Sequence, residues 1–273
     1  MKYKMLVLDM DDTLLTDDHR ISDKNKEALR KAQELGVYVV LASGRPTPAM
    51  TKFATELNLA HHESYMLAYN GAVIMQMKDN SILFEQSLTK EEIHALYDFS
   101  IAHKVAIITY IDGKIVSESN SEYIDIETEI TGMPFEKVAS FKETVTASAI
   151  KCILLEEPMY LKKVEALLKE EMPDKSVATS KPFFLEVTHF GIDKAESLKR
   201  LAAKLHIKQE EIIAVGNAGN DLSMVEYAGL GVWVENVTPE LRDKADVIVA
   251  SNNNDGVAEV VERFIIQGET LKA

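Results

Sequence analysis

The stretch MLVLDMDDTLL, Met5 to Leu15, decides how this chain is read. Met5 to Leu8 is an apolar run of strand length, and it ends abruptly on Asp9, with Asp11 and Asp12 close behind. Ser22 then caps a helix in which Ala28, Leu29, Ala32 and Leu35 recur at helical spacing, with Gly36 as its stop. Val37 to Leu41 is a second buried strand. Pro46 stands at the expected first position of a second helix, whose inner face is Phe53, Ala54 and Leu57. This alternation of strand and helix predicts a parallel sheet. In such a sheet the acids at the carboxyl end of the first strand face the crevice where open α/β sheets bind ligands.

Working outward, Tyr65 to Tyr69, Ala72 to Met75 and Ile82 to Phe84 read as strands, turned at Asn70-Gly71 and Asp79-Asn80. Around Phe84 the pattern changes. Thr89 with Glu92 is a capping box for a helix ending near His103, and Lys104 to Tyr110 and Lys114 to Val116 flank Asp112-Gly113 as a hairpin. A polar helix over Ser121 to Ile130, a strand Ala149 to Leu155, a helix Met159 to Glu170 and strands near Ser176 and over Phe183 to Val187 follow. That is roughly a hundred residues, too many for one crossover connection.

From Asp193 the alternation resumes. Asp193 with Glu196 reads as another capping box, and Leu198, Leu201 and Leu205 give that helix its stripe. Ile212 to Val215, Leu230 to Val234 and Val247 to Val249 are strands, with helices over Asp221 to Tyr227 and Val257 to Ile266. The expected fold is α/β, a doubly wound and mostly parallel sheet formed by residues 1–83 and 188–273, with an α+β domain over 84–187 inserted into it.

Composition limits the partners. A formal charge of −14 over 273 residues disfavours a broad surface for nucleic acid or anionic membranes, since those partners add more negative charge. An anionic ligand must be met by a local cluster of cations. The single Cys152 lies in an apolar run and excludes a disulfide framework within one chain, which fits a reducing cytoplasm. The apolar stretch before Asp9 is too short for a signal segment or a membrane span. A cytoplasmic protein, monomer or homodimer, is expected.

Four loops carry candidate chemistry. Asp9 and Asp11 repel each other unless a cation sits between them, which points to Mg²⁺, a cation that favours oxygen ligands; an Asp-rich turn or helix cap is the plainer reading. Ser43-Gly44-Arg45, after the second strand, offers a hydroxyl and a flexible backbone close to a helix N-terminus, as a phosphate oxygen requires. Lys194 is either a phosphate-binding cation or a solvated surface lysine. Gly216 to Asp221, GNAGND, follows a strand and suits a turn, a phosphate cradle or a metal site.

The order of these motifs resembles the haloacid dehalogenase superfamily of phosphotransferases. Within it, the chain resembles the Cof-type phosphatases, whose cap domain is inserted between the second and third motifs. The likeness rests on DMDDTLL, LASGRP, Tyr69 to Ala72, the helix at Asp193-Lys194, GNAGNDLSMVEYAGLGV and Asn254-Asp255-Gly256, and so runs nearly from end to end. It implies an active site lying between core and cap, and a Mg²⁺-dependent phosphatase of small phosphorylated metabolites, such as sugar phosphates or cofactors and precursors like flavin mononucleotide. Asp9 is then the nucleophile that forms an aspartyl-phosphate, Asp11 the acid and base, and Thr13 its orienting neighbour. Lys194 neutralises charge. Met10, Ser43, Gly44, Arg45, Asn70, Lys194 and Asn220 are the phosphate- or substrate-binding set, and Asp9, Asp11 through its carbonyl, Asn217 and Asp221 the metal set, Asp221 directly or one shell out. A phosphosugar mutase and a catalytically weak phospho-ligand binder are the alternatives.

Two positions depart from the family. Asp12 stands where Gly is usual, and Asp tolerates the backbone angles of such a turn better than most residues. Asn217 stands where Asp is usual, so one ligand loses its charge, and metal affinity is expected to fall or to lean more on Asp221. His61-His62 has no ligand-spaced partner, and Trp233 is expected in the core.

Overall fold

The computed structural model describes residues 2–270. They form two compact units, one from Met1–Phe84 with Asp193–Ala273 and the other from Glu85–Ile192. In chain order the first segment contributes β1 (Met5–Leu8), α1 (Asp23–Glu34), β2 (Tyr38–Ala42), α2 (Thr47–Glu56), β3 (Tyr65–Ala68), β4 (Val73–Gln76) and β5 (Ile82–Glu85). The second unit holds α3 (Lys90–Ala102), β6 (Ala106–Ile111), β7 (Lys114–Ser117), α4 (Glu122–Thr131), β8 (Phe135–Lys137), α5 (Phe141–Thr144), β9 (Lys151–Leu155), α6 (Pro158–Glu171), β10 (Lys175–Lys181) and β11 (Phe184–His189). The chain then adds α7 (Lys194–Leu205), β12 (Ile212–Gly216), α8 (Leu222–Tyr227), β13 (Leu230–Val234), β14 (Val247–Val249) and α9 (Gly256–Val260), which a π-helical turn extends to Ile266.

In the first unit the strands run β14-β13-β12-β1-β2-β3-β4-β5. Every pair from β14 to β3 is parallel, and β4 returns antiparallel to β3. Strand β1 is therefore central, with Leu8 level with Leu41 on one side and Val215 on the other. All four of its residues are fully buried, as a strand covered on both faces requires. One face packs Met5, Val7, Val40, Ala42, Leu198, Leu201, Ala214 and Trp233 into a single apolar cluster. The order turns about β1, so the loops after β1, β2 and β12 open at the same sheet edge, where ligands of doubly wound sheets collect.

The second unit is a six-stranded sheet, β10-β11-β9-β6-β7-β8, antiparallel except for β7 with β8. Helices α3 and α6 cover one face through Ile93, Leu96, Leu161, Val164 and Leu168, while Ile124 of α4 packs on the other with Ile108 and Ile153. Cys152 is buried here, and desolvation pushes its thiol up to about 12. Lys151 and Glu186, both buried, pair at 3.1 Å.

The structure corrects several local expectations. Pro46 lies just outside α2 at its N-cap, with ψ 150°, and Pro48 falls in the first turn. The Asp193 box is one-sided: Asp193 accepts from the Glu196 amide at 2.9 Å, but the Glu196 carboxylate turns outward to Lys199. The Thr89 and Glu92 box is reciprocal. Strand β11 continues past Val187 to His189 because its pairing with β10 continues. The short β8 and α5, which follow Pro134 and carry little apolar periodicity, gave no sequence signal. Among the described residues no helix is long and apolar enough to cross a membrane.

Candidate active site

Asp9 is the first residue beyond β1, and its amide donates to Val215 O at 2.9 Å, which carries the sheet ladder to the rim of the site. Lys194 opens α7 with its side chain wholly buried. Its ammonium donates to Asp9 Oδ1 at 2.7 Å, to Asp221 Oδ1 at 2.6 Å and to the carbonyl of Ala42 at 2.9 Å. Three donors thus meet three acceptors from the ends of β1, β2 and the turn before α8. Lys194 is a buried ion-pair partner and not a solvated surface lysine.

Two carboxylates share this one lysine. Burial, then the Asp221 charge, push the Asp9 carboxyl up to about 7 against the pull of Lys194, and Asp11 adds a smaller push. Burial works to lower the Lys194 ammonium, but the charges of Asp221 and Asp9 outweigh it and hold the group above the ordinary lysine range. The site carries surplus negative charge around Asp9.

Asp221 is fixed on all sides. Its Oδ2 accepts from the amides of Asn217 at 3.0 Å and Ala218 at 3.1 Å, while Oδ1 holds Lys194. Both oxygens are engaged and the residue has no exposure, so Asp221 anchors the lysine. Gly216 makes this possible: a Cβ there would lie 2.5 Å from Asp221 Cβ.

The loop after β2 is ordered by its own backbone. Ser43 Oγ accepts from the Arg45 amide at 3.1 Å, which leaves its hydroxyl hydrogen to donate outward. Gly44 lies between them. The Arg45 guanidinium, one of the expected substrate-binding groups, grips Asp11, donating from Nε to Oδ2 at 2.8 Å and from Nη2 to Oδ1 at 2.6 Å. Asn70, in the left-handed region at φ 55°, accepts from Asn220 Nδ2 at 3.2 Å, so two of the predicted binding amides are joined. Gly71 beside it, at φ +95°, touches α7: its carbonyl accepts from Ser197 Oγ at 2.6 Å, and a Cβ there would lie 2.3 Å from that oxygen.

Asp12 adopts φ 58° and ψ 14°, in the left-handed region. Its carbonyl accepts from Asn236 Nδ2 at 2.7 Å, a support that no sequence motif marks. The Met10 side chain is buried, so only its backbone can face a ligand. Thr13 Oγ1 is buried without a hydrogen-bond partner, an orphan of the kind that a bound polar ligand or water can satisfy. Asn217 is half-buried and gives its amide N–H to Asp221. Among the described residues no cluster of three or more His, Cys, Asp or Glu could hold a metal ion. The candidate donor set is instead the Asp9 carboxylate, the Asp11 carbonyl and the Asn217 amide oxygen. Such hard oxygen donors, beside uncompensated negative charge, fit Mg²⁺, which keeps several waters.

The sequence profile of the haloacid dehalogenase-like hydrolases matches residues 6–261. The chain belongs to that family. Among similar haloacid dehalogenase-like proteins, one of Bacillus subtilis named "Putative phosphatase YxeH" is 32% identical over 269 residues, 97% of this chain and 99% of the relative. The 5-amino-6-(5-phospho-D-ribitylamino)uracil phosphatase YcsE of Bacillus subtilis is 29% identical over 96% of each chain. A haloacid dehalogenase-like hydrolase from Bacteroides thetaiotaomicron superposes with a TM-score of 0.88 at 35% identity, covering 97% of this chain and 100% of that one. Family membership accounts for the doubly wound core.

Proposed function

We propose that this haloacid dehalogenase-like hydrolase is a phosphatase that cleaves small phosphomonoesters by way of a phosphorylated Asp9, and that it depends on Mg²⁺. One observation carries the reading: a buried lysine bridges Asp9 and Asp221 where β1 and β12 end, leaving Asp9 as the carboxylate at the rim. A carboxylate that attacks a phosphate dianion meets like-charge repulsion, and positioning with charge neutralisation is what such a transfer needs.

The residues divide the work. Asp9 attacks phosphorus while Asp11 gives a proton to the departing alcohol oxygen. Water then attacks the aspartyl-phosphate as Asp11 takes its proton, and phosphate leaves with Asp9 restored. Ser43 Oγ, the Gly44 backbone and Asn220, steadied by Asn70, hold phosphoryl oxygens, with Thr13 Oγ1 available beside them. Asp9, the Asp11 carbonyl and Asn217 would hold Mg²⁺, whose charge would offset the surplus carboxylate and polarise the phosphoryl group.

Phosphorylated metabolites of sugar or flavin-precursor type are the proposed substrates, supported by the phosphoribitylaminouracil phosphatase among the relatives. The test is phosphate release from a panel of such esters and from p-nitrophenyl phosphate, with and without Mg²⁺. Turnover that needs Mg²⁺ and vanishes in Asp9→Asn is expected; turnover that survives Asp9→Asn would end the proposal.

A further inference from the structure

The β2 to α2 loop sends Arg45 back across the crevice, and this residue is built to hold one position. Its side chain is only 4% exposed. The guanidinium lies 5.5 Å from the centre of the Phe53 ring, and its fork takes both oxygens of Asp11. Its backbone is pinned as well, with the amide donating to Ser43 Oγ and the carbonyl accepting from Tyr69 N at 3.0 Å. Asp11 is the partner that needs this. It retains 22% side-chain exposure and sits at φ −67°, ψ 128° within an irregular turn, with His19 Nδ1 4.0 Å from its Oδ1. A guanidinium is a planar fork that sets both position and plane of a carboxylate, which a lysine ammonium does not.

We infer that Arg45 is a positioning residue for Asp11 and not a phosphate ligand: it aims the carboxyl group that protonates the leaving oxygen and later takes the proton of water. The inference rests on the reading of Asp11 as acid and base given above. In the first half-reaction the P–O bond to the alcohol breaks, the Asp9–phosphorus bond forms, and the Asp11 proton moves to the departing oxygen. Misaiming Asp11 therefore hurts esters whose leaving group is a poor anion, and spares those whose leaving group needs no proton. Loss of a phosphate contact hurts both alike.

The test compares kcat/KM for phenyl phosphate and p-nitrophenyl phosphate in the native protein, Arg45→Lys, Asp11→Asn and the double variant, with inhibition by inorganic phosphate measured on each. General acid catalysis contributes about 10²–10⁴-fold, and a displacement of about 1 Å can cost about 10²-fold. Arg45→Lys is expected to lose on the order of ten-fold or more on phenyl phosphate relative to p-nitrophenyl phosphate, to leave phosphate inhibition unchanged, and to add no further loss on top of Asp11→Asn. Equal losses on the two esters with weakened phosphate inhibition would make Arg45 a phosphate ligand and overturn the inference. Asp11→Asn separates the two levels. If it shows the leaving-group selectivity and Arg45→Lys does not, only the role of Arg45 falls; if Asp11→Asn strikes both esters equally, the acid role of Asp11 falls first. A thermal unfolding midpoint for each variant, together with the ester ratio, which a simple loss of folded protein leaves unchanged, keeps the result decisive.

Discussion

Asp9 illustrates how a buried site trades stability for reactivity. Its carboxyl titrates at about 7 in the folded protein, against an ordinary value of 3.8, so between those values the folded state binds a proton that the unfolded state releases. Asp9 therefore contributes most to stability below about pH 4, and that contribution is lost as pH rises through about 7. Replacing it by asparagine leaves Lys194 balanced by Asp221 alone. Asp9→Asn should gain thermal midpoint over the native protein as metal-free samples move from pH 5 to pH 8, and a difference that does not change with pH would contradict the assignment. Asn217 raises a second question of charge. Restoring a carboxylate with Asn217→Asp should lower the Mg²⁺ concentration for half-maximal activity, on the order of ten-fold, because ligand charge governs the affinity of hard-cation sites. Calorimetric titration with Mg²⁺ should show the same direction, and equal half-saturation in the two proteins would refute it. The acids and Lys194 were legible in the sequence because each follows a strand in a fixed order. The true partner of Arg45, the Ala42 carbonyl on Lys194 and the Asn236 prop under Asp12 were not, since each joins segments far apart in the chain through contacts that any loop could make.

At the scale of elements, strands and long helices were readable from apolar runs, caps and glycine stops, while short pieces such as β8 escaped because three residues cannot display a period. Glycine had a sharper meaning than a turn. In GNAGND, Gly216 lets the strand end lie against Asp221, whereas a Cβ on Gly219 would meet nothing within 4 Å. Gly216→Ala should therefore cost about 1–3 kcal/mol, the usual penalty for forcing atoms into a packed site, and should lower turnover by displacing the anchor of Lys194. Gly219→Ala should leave stability within about 1 kcal/mol. Denaturant unfolding of the two variants side by side checks the contrast, and equal losses would count against the packing argument.

At the scale of the whole molecule, the two units differ in how the chain builds them. Glu85–Ile192 is continuous and owns two apolar clusters, one on each face of its sheet. Expressed alone, residues 85–192 should fold, with a cooperative thermal transition followed by circular dichroism; a molten or aggregated fragment would show that its cores do not suffice. Residues 1–84 should not fold alone, since β1 would lose β12 along one edge, and with it the cluster that includes Leu198, Leu201 and Trp233. The same topology sets the timing of synthesis. Asp9 leaves the ribosome long before its lysine, which follows 185 residues later, and Asp221 later still. At about 5–20 residues per second the Asp9 carboxylate waits on the order of ten seconds or more for its counter-ion. The nascent chain can carry a finished second unit while its phosphoryl-transfer chemistry stays silent, and the enzyme becomes competent only when the last third of the polypeptide has emerged.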